Sequence, residues 1–188
     1  AFINMTYGTN LGRQTIWPRT NYLSEKQFLE QAFAKAGEKG ADIIAALPHW
    51  GPEYQLKHSE SQETAAYWLV ANGADLIIGT HPHVVQEISS IGDVPVAYSL
   101  GNAVSNMSAP NTQLELMVTM KIARHANGDL EILPPEPTWL WCSRPGGFNS
   151  SYTVIPIEEY IGRKEEWAGA WDYDKMMTTY ERVKNHNK

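Results

Sequence analysis

Ala41-Asp42-Ile43-Ile44-Ala45-Ala46-Leu47 and Asp75-Leu76-Ile77-Ile78-Gly79 are the two runs whose reading decides the fold. Each is short and almost unbroken in its apolar character, as strands covered on both faces are. Between them, Ser59 to Asn72 reads as a helix, with Ala65, Ala66, Trp68 and Leu69 for its packed side and Gly73 as its stop. Strand, helix and strand in that order predict a βαβ unit, in which the strands run parallel and the crossover is right-handed.

Upstream, Phe2 to Tyr7 alternates like a strand until Gly8-Thr9-Asn10-Leu11-Gly12 breaks it, and a loop with Pro18 follows. Ser24 is a suitable N-cap for a helix that repeats Phe28, Leu29, Ala32, Phe33 and Ala36 and stops near Gly37 and Gly40. Downstream, Pro95 to Leu100 predicts a strand and Leu114 to Ala123 a longer one. A turn at His125 to Asp129 then returns the chain through Leu130 to Leu133 as an antiparallel hairpin. A Pro-rich stretch at Pro134, Pro135 and Pro137 leads to the apolar Trp139 to Cys142. Tyr152 to Ile155 is one more short strand, and the tail from Tyr173 to Lys188 is helical with Met176, Met177, Tyr180 and Val183 on one side. No repeat or linker interrupts the chain. The expectation is one α/β domain over residues 1–188, a parallel βαβ unit followed by antiparallel strands.

The 188 residues are 43% hydrophobic and 19% charged, enough to bury a continuous core and too apolar for disorder. The net charge of -6 comes from acids and bases mixed along the chain, so there is no basic stripe for a nucleic acid backbone. No apolar run reaches the roughly 20 residues that cross a bilayer. Ala1-Phe2-Ile3-Asn4 lacks a basic n-region and a cleavage site, and an opening Ala is compatible with a mature form, a trimmed chain or a fragment. Cys142 is the single cysteine, which excludes an internal disulfide and a multi-thiolate zinc site; within Trp139-Leu140-Trp141-Cys142 it reads as a small buried hydrophobe.

The chemistry gathers where strands end. His49 stands in Pro48-His49-Trp50-Gly51-Pro52-Glu53-Tyr54, and His81 and His83 in Gly79-Thr80-His81-Pro82-His83. Parallel neighbours lie about 4.8 Å apart, so residues just past their carboxyl ends converge, and ligand sites of open α/β sheets form at that edge. An extended His81-Pro82-His83 would put both imidazoles on one side, with Pro82 holding His81 out of helical geometry. With His49 this makes three neutral nitrogen donors, a set suited to Zn, Mn, Fe or Ni rather than Ca or Mg. Glu53 has two readings, a proton shuttle or partner of a ligand on the one hand and a solvated carboxylate on the other. Asn102, in Ser99-Leu100-Gly101-Asn102, either presents its amide to a ligand in the cleft or is ordinary turn chemistry. Trp50, Tyr54 and Tyr98 flank these loops as pocket lining or as packing. His58, His125 and His186 read as solvent-exposed.

Three of these stretches, in this order, carry a resemblance: Ala41 through Tyr54, then Gly73-Ala74-Asp75-Leu76-Ile77-Ile78-Gly79-Thr80-His81-Pro82-His83-Val84-Val85-Gln86, then Ala97-Tyr98-Ser99-Leu100-Gly101-Asn102. Together they resemble the bacterial CapA-type capsule-synthesis proteins over roughly the first 110 residues. That family is similar to calcineurin-like metallophosphoesterases, which implies a four-layer α/β/β/α sandwich with a two-metal site on loops at strand ends. By this resemblance His49 is the isolated His ligand, His81 and His83 are the paired ligands, and Thr80 stands where a phosphoesterase often has another His. Glu53 and Asn102 are motif residues of the capsule branch, the candidate catalytic groups here.

The resemblance implies a metal-dependent hydrolase acting on a phosphoester or amide bond of an anionic envelope polymer or a small molecule, at the cell envelope or outside it. The rival reading is a non-catalytic module that binds envelope polymer or envelope proteins. The Asp-bearing strand and the Asn-Leu-Glu-like and Asn-Asn-His-like segments of the family do not occur before His49. Bridging carboxylates hold paired ions about 3.5–4 Å apart, so three histidines imply at most one firmly held divalent metal. The site would otherwise be completed by another chain, an amino-terminal half or a second copy.

Overall fold

A computed structural model describes residues 1–12, 20–147 and 151–187. The expected loop residue Pro18 lies outside them. Five strands form the main sheet: β1 (Phe2–Thr6), β2 (Ala45–His49), β3 (Leu76–Ile78), β4 (Ile88–Ile91) and β5 (Val94–Ala97), in the order β1-β2-β3-β5-β4. β1, β2, β3 and β5 run parallel, and β4 returns antiparallel to β5. The expected βαβ unit is β2, helix α2 (Glu60–Ala71) and β3, with Ala45 opposite Leu76 and Ala46 opposite Ile77.

Register assigns the faces. Ile3, Ala46, Ile77 and Val96 share one face, and this face joins Leu29 and Phe33 of α1 (Lys26–Glu38) and Ala66 and Leu69 of α2 in one buried cluster. Leu29, Ala46, Ala66, Leu69, Ile77 and Val96 have no exposed surface at all. The chain therefore spends its most apolar residues on anchoring the two strands that deliver the histidines.

α2 starts where a capping box ends its loop: Ser59 Oγ accepts from the Gln62 amide while the Gln62 side chain accepts from the Ser59 amide, which satisfies two donors a helix start leaves open. α1 differs from expectation. Ser24 lies one residue too early, and the N-cap is Glu25 with no side-chain cap bond.

The second half is antiparallel, as expected, but divided differently. β6 (Leu114–Thr119) pairs with β9 (Glu136–Ser143), and β9 with β10 (Thr153–Pro156), while β7 (Ile122–Arg124) and β8 (Leu130–Ile132) form a separate hairpin. The single long strand expected from Leu114 to Ala123 is thus two. Its partner β9 begins at Glu136, opposite Thr119, so the chain beyond Thr119 has no ladder to continue on and leaves the sheet. Strand β4 is an addition; its centre, Ser89 and Ser90, is polar and exposed, so no apolar alternation announces it.

Leu114, Leu116, Trp139 and Trp141 on β6 and β9 pack against Ile157 of the short helix α3 (Ile157–Tyr160) and against Met176, Tyr180 and Val183 of α4 (Ala170–His186). The observed class is mixed α/β with a parallel-dominated sheet and an antiparallel one, each with helices in the cluster on one of its faces. The two sheets join where Leu116 N–H donates to Leu100 O at 2.8 Å, just past the end of β5. Cys142 is fully buried, as expected. No helix among the described residues is long and apolar enough to cross a membrane.

Candidate metal centre

The carboxyl ends of β1, β2 and β3 meet as the parallel topology requires. A parallel bridge ties His49 to Thr80, through Thr80 N–H to Pro48 O at 2.9 Å and Trp50 N–H to Thr80 O at 3.0 Å. The imidazoles of His49 and His81 then stand with ring centroids 4.5 Å apart, and those of His81 and His83 5.8 Å apart. The three histidines do gather on one edge.

They do so by a different backbone from the extended claw. His81 has φ 104° and His83 φ 60°, both in the left-handed region. The bridge to β2 carries the chain straight as far as Thr80, and the turn that follows is made by the histidines themselves, on either side of Pro82. Such backbone costs on the order of 1–3 kcal/mol per residue and is found where a functional geometry over-determines it. Tyr54, at φ 63°, is a third case in the same place; its amide donates to Pro82 O at 2.8 Å, which ties the loop after β2 to the histidine turn.

That tie delivers Glu53. Single ligand atoms of Glu53, His81 and His83 all lie within 4.8 Å of one another, the one such group of three among the described residues. The ligand set that the geometry offers therefore differs by one member from the three histidines: Glu53 stands in it and His49 stands beside it, against His81. Glu53 Oε1 lies 3.9 Å from His83 Nε2.

Asn102 decides which nitrogen of His83 is available. Its Nδ2 donates toward His83 O at 3.2 Å, Thr112 O at 3.2 Å and Ser105 Oγ at 3.3 Å. The amide is thereby oriented, because only Nδ2 can satisfy those acceptors. Its Oδ1 faces His83 Nδ1 at 2.8 Å, so Nδ1 donates to it, and Nε2 is the ring nitrogen on the side of Glu53. A fixed second nitrogen is how proteins hold a metal-ligating imidazole in its tautomer. Asn102 thus acts on the site through His83. His49 Nδ1 contacts Thr80 Oγ1 at 3.2 Å.

Electrostatics suit neutral imidazoles. Partial desolvation, then the charge of His83, hold His49 below its usual 6.5. Desolvation, then His49, hold His81 below the same value, with Glu53 opposing. Both rings therefore carry lone pairs at neutral pH. Two imidazoles and a carboxylate are a donor set for Zn, Mn, Fe or Ni.

The aromatics divide. Trp50, 2% exposed, and Tyr98, 3% exposed, are core; Trp50 Nε1–H donates to Tyr98 O at 2.9 Å and the rings stack. Tyr54 is exposed and stacks on His83 at the rim. His58 is not the solvent-exposed residue expected. It is half-buried, pairs with Glu87, and lies parallel on Tyr98 with ring centroids 3.9 Å apart. The loop folds back over the segment after His83 and carries it there. His125 and His186 are exposed.

One neighbour escaped the sequence reading. Tyr7 packs on His81 at 4.6 Å and on His49 at 6.1 Å between ring centroids. It lies one residue past the end of β1, with its amide on His49 O. The strand-end reasoning that found the histidines applies to it equally.

Comparison with known proteins bears on the part of the chain that holds the site. Capsule biosynthesis protein CapA of Bacillus anthracis is 36% identical over 102 residues, which cover 54% of this chain and 25% of that protein. PGA biosynthesis protein CapA of Bacillus subtilis (strain 168) is 33% identical over 97 residues, 52% of this chain and 26% of that protein. The chain thus spans about a quarter of the length of these curated relatives. The model of the bacterial capsule synthesis protein family PGA_cap matches residues 1–107, the part that holds the main sheet, all three histidines, Glu53 and Asn102, and on that match the chain belongs to this family.

Proposed function

We propose that this chain provides a one-metal site of a hydrolase that works on an anionic envelope polymer during capsule synthesis. Glu53, His81 and His83 would hold a divalent transition ion, Zn, Mn, Fe or Ni. The observation that carries the reading is the convergence of Glu53 and the Nε2 of His83, with Asn102 accepting from the ring's other nitrogen. A bound ion of this kind would lower the pKa of water and polarise a phosphoester or amide bond.

The chain's own groups supply the rest. Asn102 holds His83 in its ligating tautomer. His49, neutral and beside His81, is placed to accept or return a proton near the bond. Tyr7 and Tyr54 form apolar walls on two sides of the cluster. The described residues offer ligands for one ion; a two-metal reaction would draw its bridging carboxylate from outside them.

The fold proposal goes with the site. Two sheets, each with helices against one face, support the reading as part of a four-layer α/β/β/α sandwich of the calcineurin-like type. The relatives' names, capsule and PGA biosynthesis, support a place at the cell envelope and a substrate such as poly-γ-glutamate or its precursors. Phe2, 80% exposed on the edge strand β1, supports a further chain or second copy as partner there.

The test is metal content per chain by native mass spectrometry after incubation with Zn, Mn or Ni, with turnover of a generic phosphodiester and a γ-glutamyl amide followed in parallel. The expected result is one ion per wild-type chain and none in a His81→Ala, His83→Ala variant that remains folded. Equal metal content in the two proteins would remove the ligand assignment. Metal binding with chelator-insensitive polyglutamate binding and no turnover of either substrate would favour a polymer-binding module instead.

A further inference from the structure

Glu53 lies on a loop, yet its carboxylate is held near His83. Residues 51–58 contain no regular element, and Glu53 itself is exposed, so neither ladder nor core fixes it. The restraint comes from below. Gln86, 1% exposed, follows the histidine turn by three residues, and its Nε2 donates to Gln55 O at 2.9 Å and toward Lys57 O at 3.3 Å. Its Oε1 accepts from Gln62 Nε2 at 2.8 Å. Gln62, also 1% exposed, accepts in turn from the Ser59 amide at 3.0 Å.

Two buried amides thus form one chain of hydrogen bonds, from the first turn of α2, through the segment that follows His83, to the backbone of the loop carrying Glu53. All four side-chain polar atoms of the pair are satisfied. A buried amide that lost its partner would cost about 1–3 kcal/mol, so the chain is held in one arrangement. The loop also rests directly on it: a Cβ at Gly51, which has φ 83°, would run into the Gln62 side chain.

We propose that Gln86 and Gln62 are positioning residues that set the metal affinity of the cluster by fixing the Glu53 loop against the histidine turn. The proposal rests on the metal reading above. Gln86 touches no ligand. It acts through the carbonyls of Gln55 and Lys57, two and four residues beyond Glu53, and so controls whether the carboxylate meets His83 or swings into solvent.

The experiment uses Gln86→Met, which removes the whole amide and both donations to the loop, and Gln86→Glu, which keeps an acceptor for Gln62 but sets a carboxyl oxygen against the carbonyls of Gln55 and Lys57. Hydrogen exchange of the Tyr54 amide, bonded to Pro82 O, is measured by NMR in metal-free protein, with the amides of β2 and β3 as the folding control. Co(II) affinity and its visible spectrum are measured on the same samples. Expected are exchange at Tyr54 about tenfold faster with unchanged strand amides, and Co(II) binding about 10-fold to 100-fold weaker at unchanged stoichiometry.

The spectrum of Gln86→Met should match that of Glu53→Gln, and the Gln86→Met, Glu53→Gln double variant should lose less than about twofold beyond Glu53→Gln alone, because both changes remove one interaction. Losses that multiply in the double variant, or Tyr54 exchange unaltered in both Gln86 variants, would overturn the proposal. A wild-type chain that binds no Co(II) removes the metal reading, and the Tyr54 amide then decides alone whether Gln86 fixes the loop.

Discussion

Replacing Glu115 by Gln should make the protein's stability less sensitive to a rise in pH from 4.5 to about 7. Glu115 lies on β6, on the face opposite Leu114 and Leu116, and is 3% exposed. Its Oε2 has no hydrogen-bond partner among the described residues. Desolvation raises its pKa from 4.5 to about 7. A carboxyl whose folded value lies above its unfolded one keeps more protons folded than unfolded between the two. Stability is then intact below the unfolded value and declines as pH rises through the folded one.

From 4.5 to about 7, at about 1.4 kcal/mol for each tenfold change, the loss is about 3 kcal/mol. Glutamine keeps the shape and never ionises; its own buried amide costs on the order of 1–3 kcal/mol, independent of pH. Urea unfolding of both proteins at about pH 5 and about pH 8.5 separates the two effects, since every other titrating group is shared. The stability difference should move toward the Gln variant by about 2.5 kcal/mol across that range, since a little of the loss already falls below about pH 5. A difference that stays constant within about 0.5 kcal/mol would show that the carboxyl is not desolvated in the folded protein.

Three further outcomes are expected. Gly79→Ala places a Cβ against Tyr98 O and Trp50 Nε1, the two ends of a buried hydrogen bond, and should cost about 2 kcal/mol or more; an unchanged urea midpoint would count against the close approach. Asn102→Leu releases the His83 tautomer and should weaken metal binding about 10-fold to 100-fold, as read by calorimetry, whereas wild-type affinity would deny Asn102 its role. In the metal-free protein the His49 and His81 ring protons should titrate by NMR below 6.5, and His49→Ala should shift His81 back upward because one repelling charge is gone; a midpoint for His81 that falls in the variant would contradict this.

The parallel unit and the antiparallel second half were legible because burial on both faces and alternation leave different marks on sequence. What escaped were features with no such mark. β4 is a strand through its pairing with β5 and not through its own Ile88-Ser89-Ser90-Ile91. The break after Thr119 reflects where β9 starts, which local apolar alternation does not register. At the site, His49, His81 and His83 were readable from position at strand ends, but Glu53 and Asn102 each had two readings until the Tyr54 bond to Pro82 and the Asn102 bonds to His83 placed them beside the turn.

By itself, then, the sequence determined that two apolar strands around one helix would bring His49 and the His81, His83 pair to a common edge, because parallel strands joined by a crossover must end on the same side. Only the tertiary structure decided that His81 and His83 turn with positive φ, that Glu53 joins them ahead of His49, and that Asn102 leaves His83 Nε2 free. Those choices depend on hydrogen bonds between segments 19 to 31 residues apart. Local propensity holds no information about contacts of that range; they exist only once the sheet has set the distances.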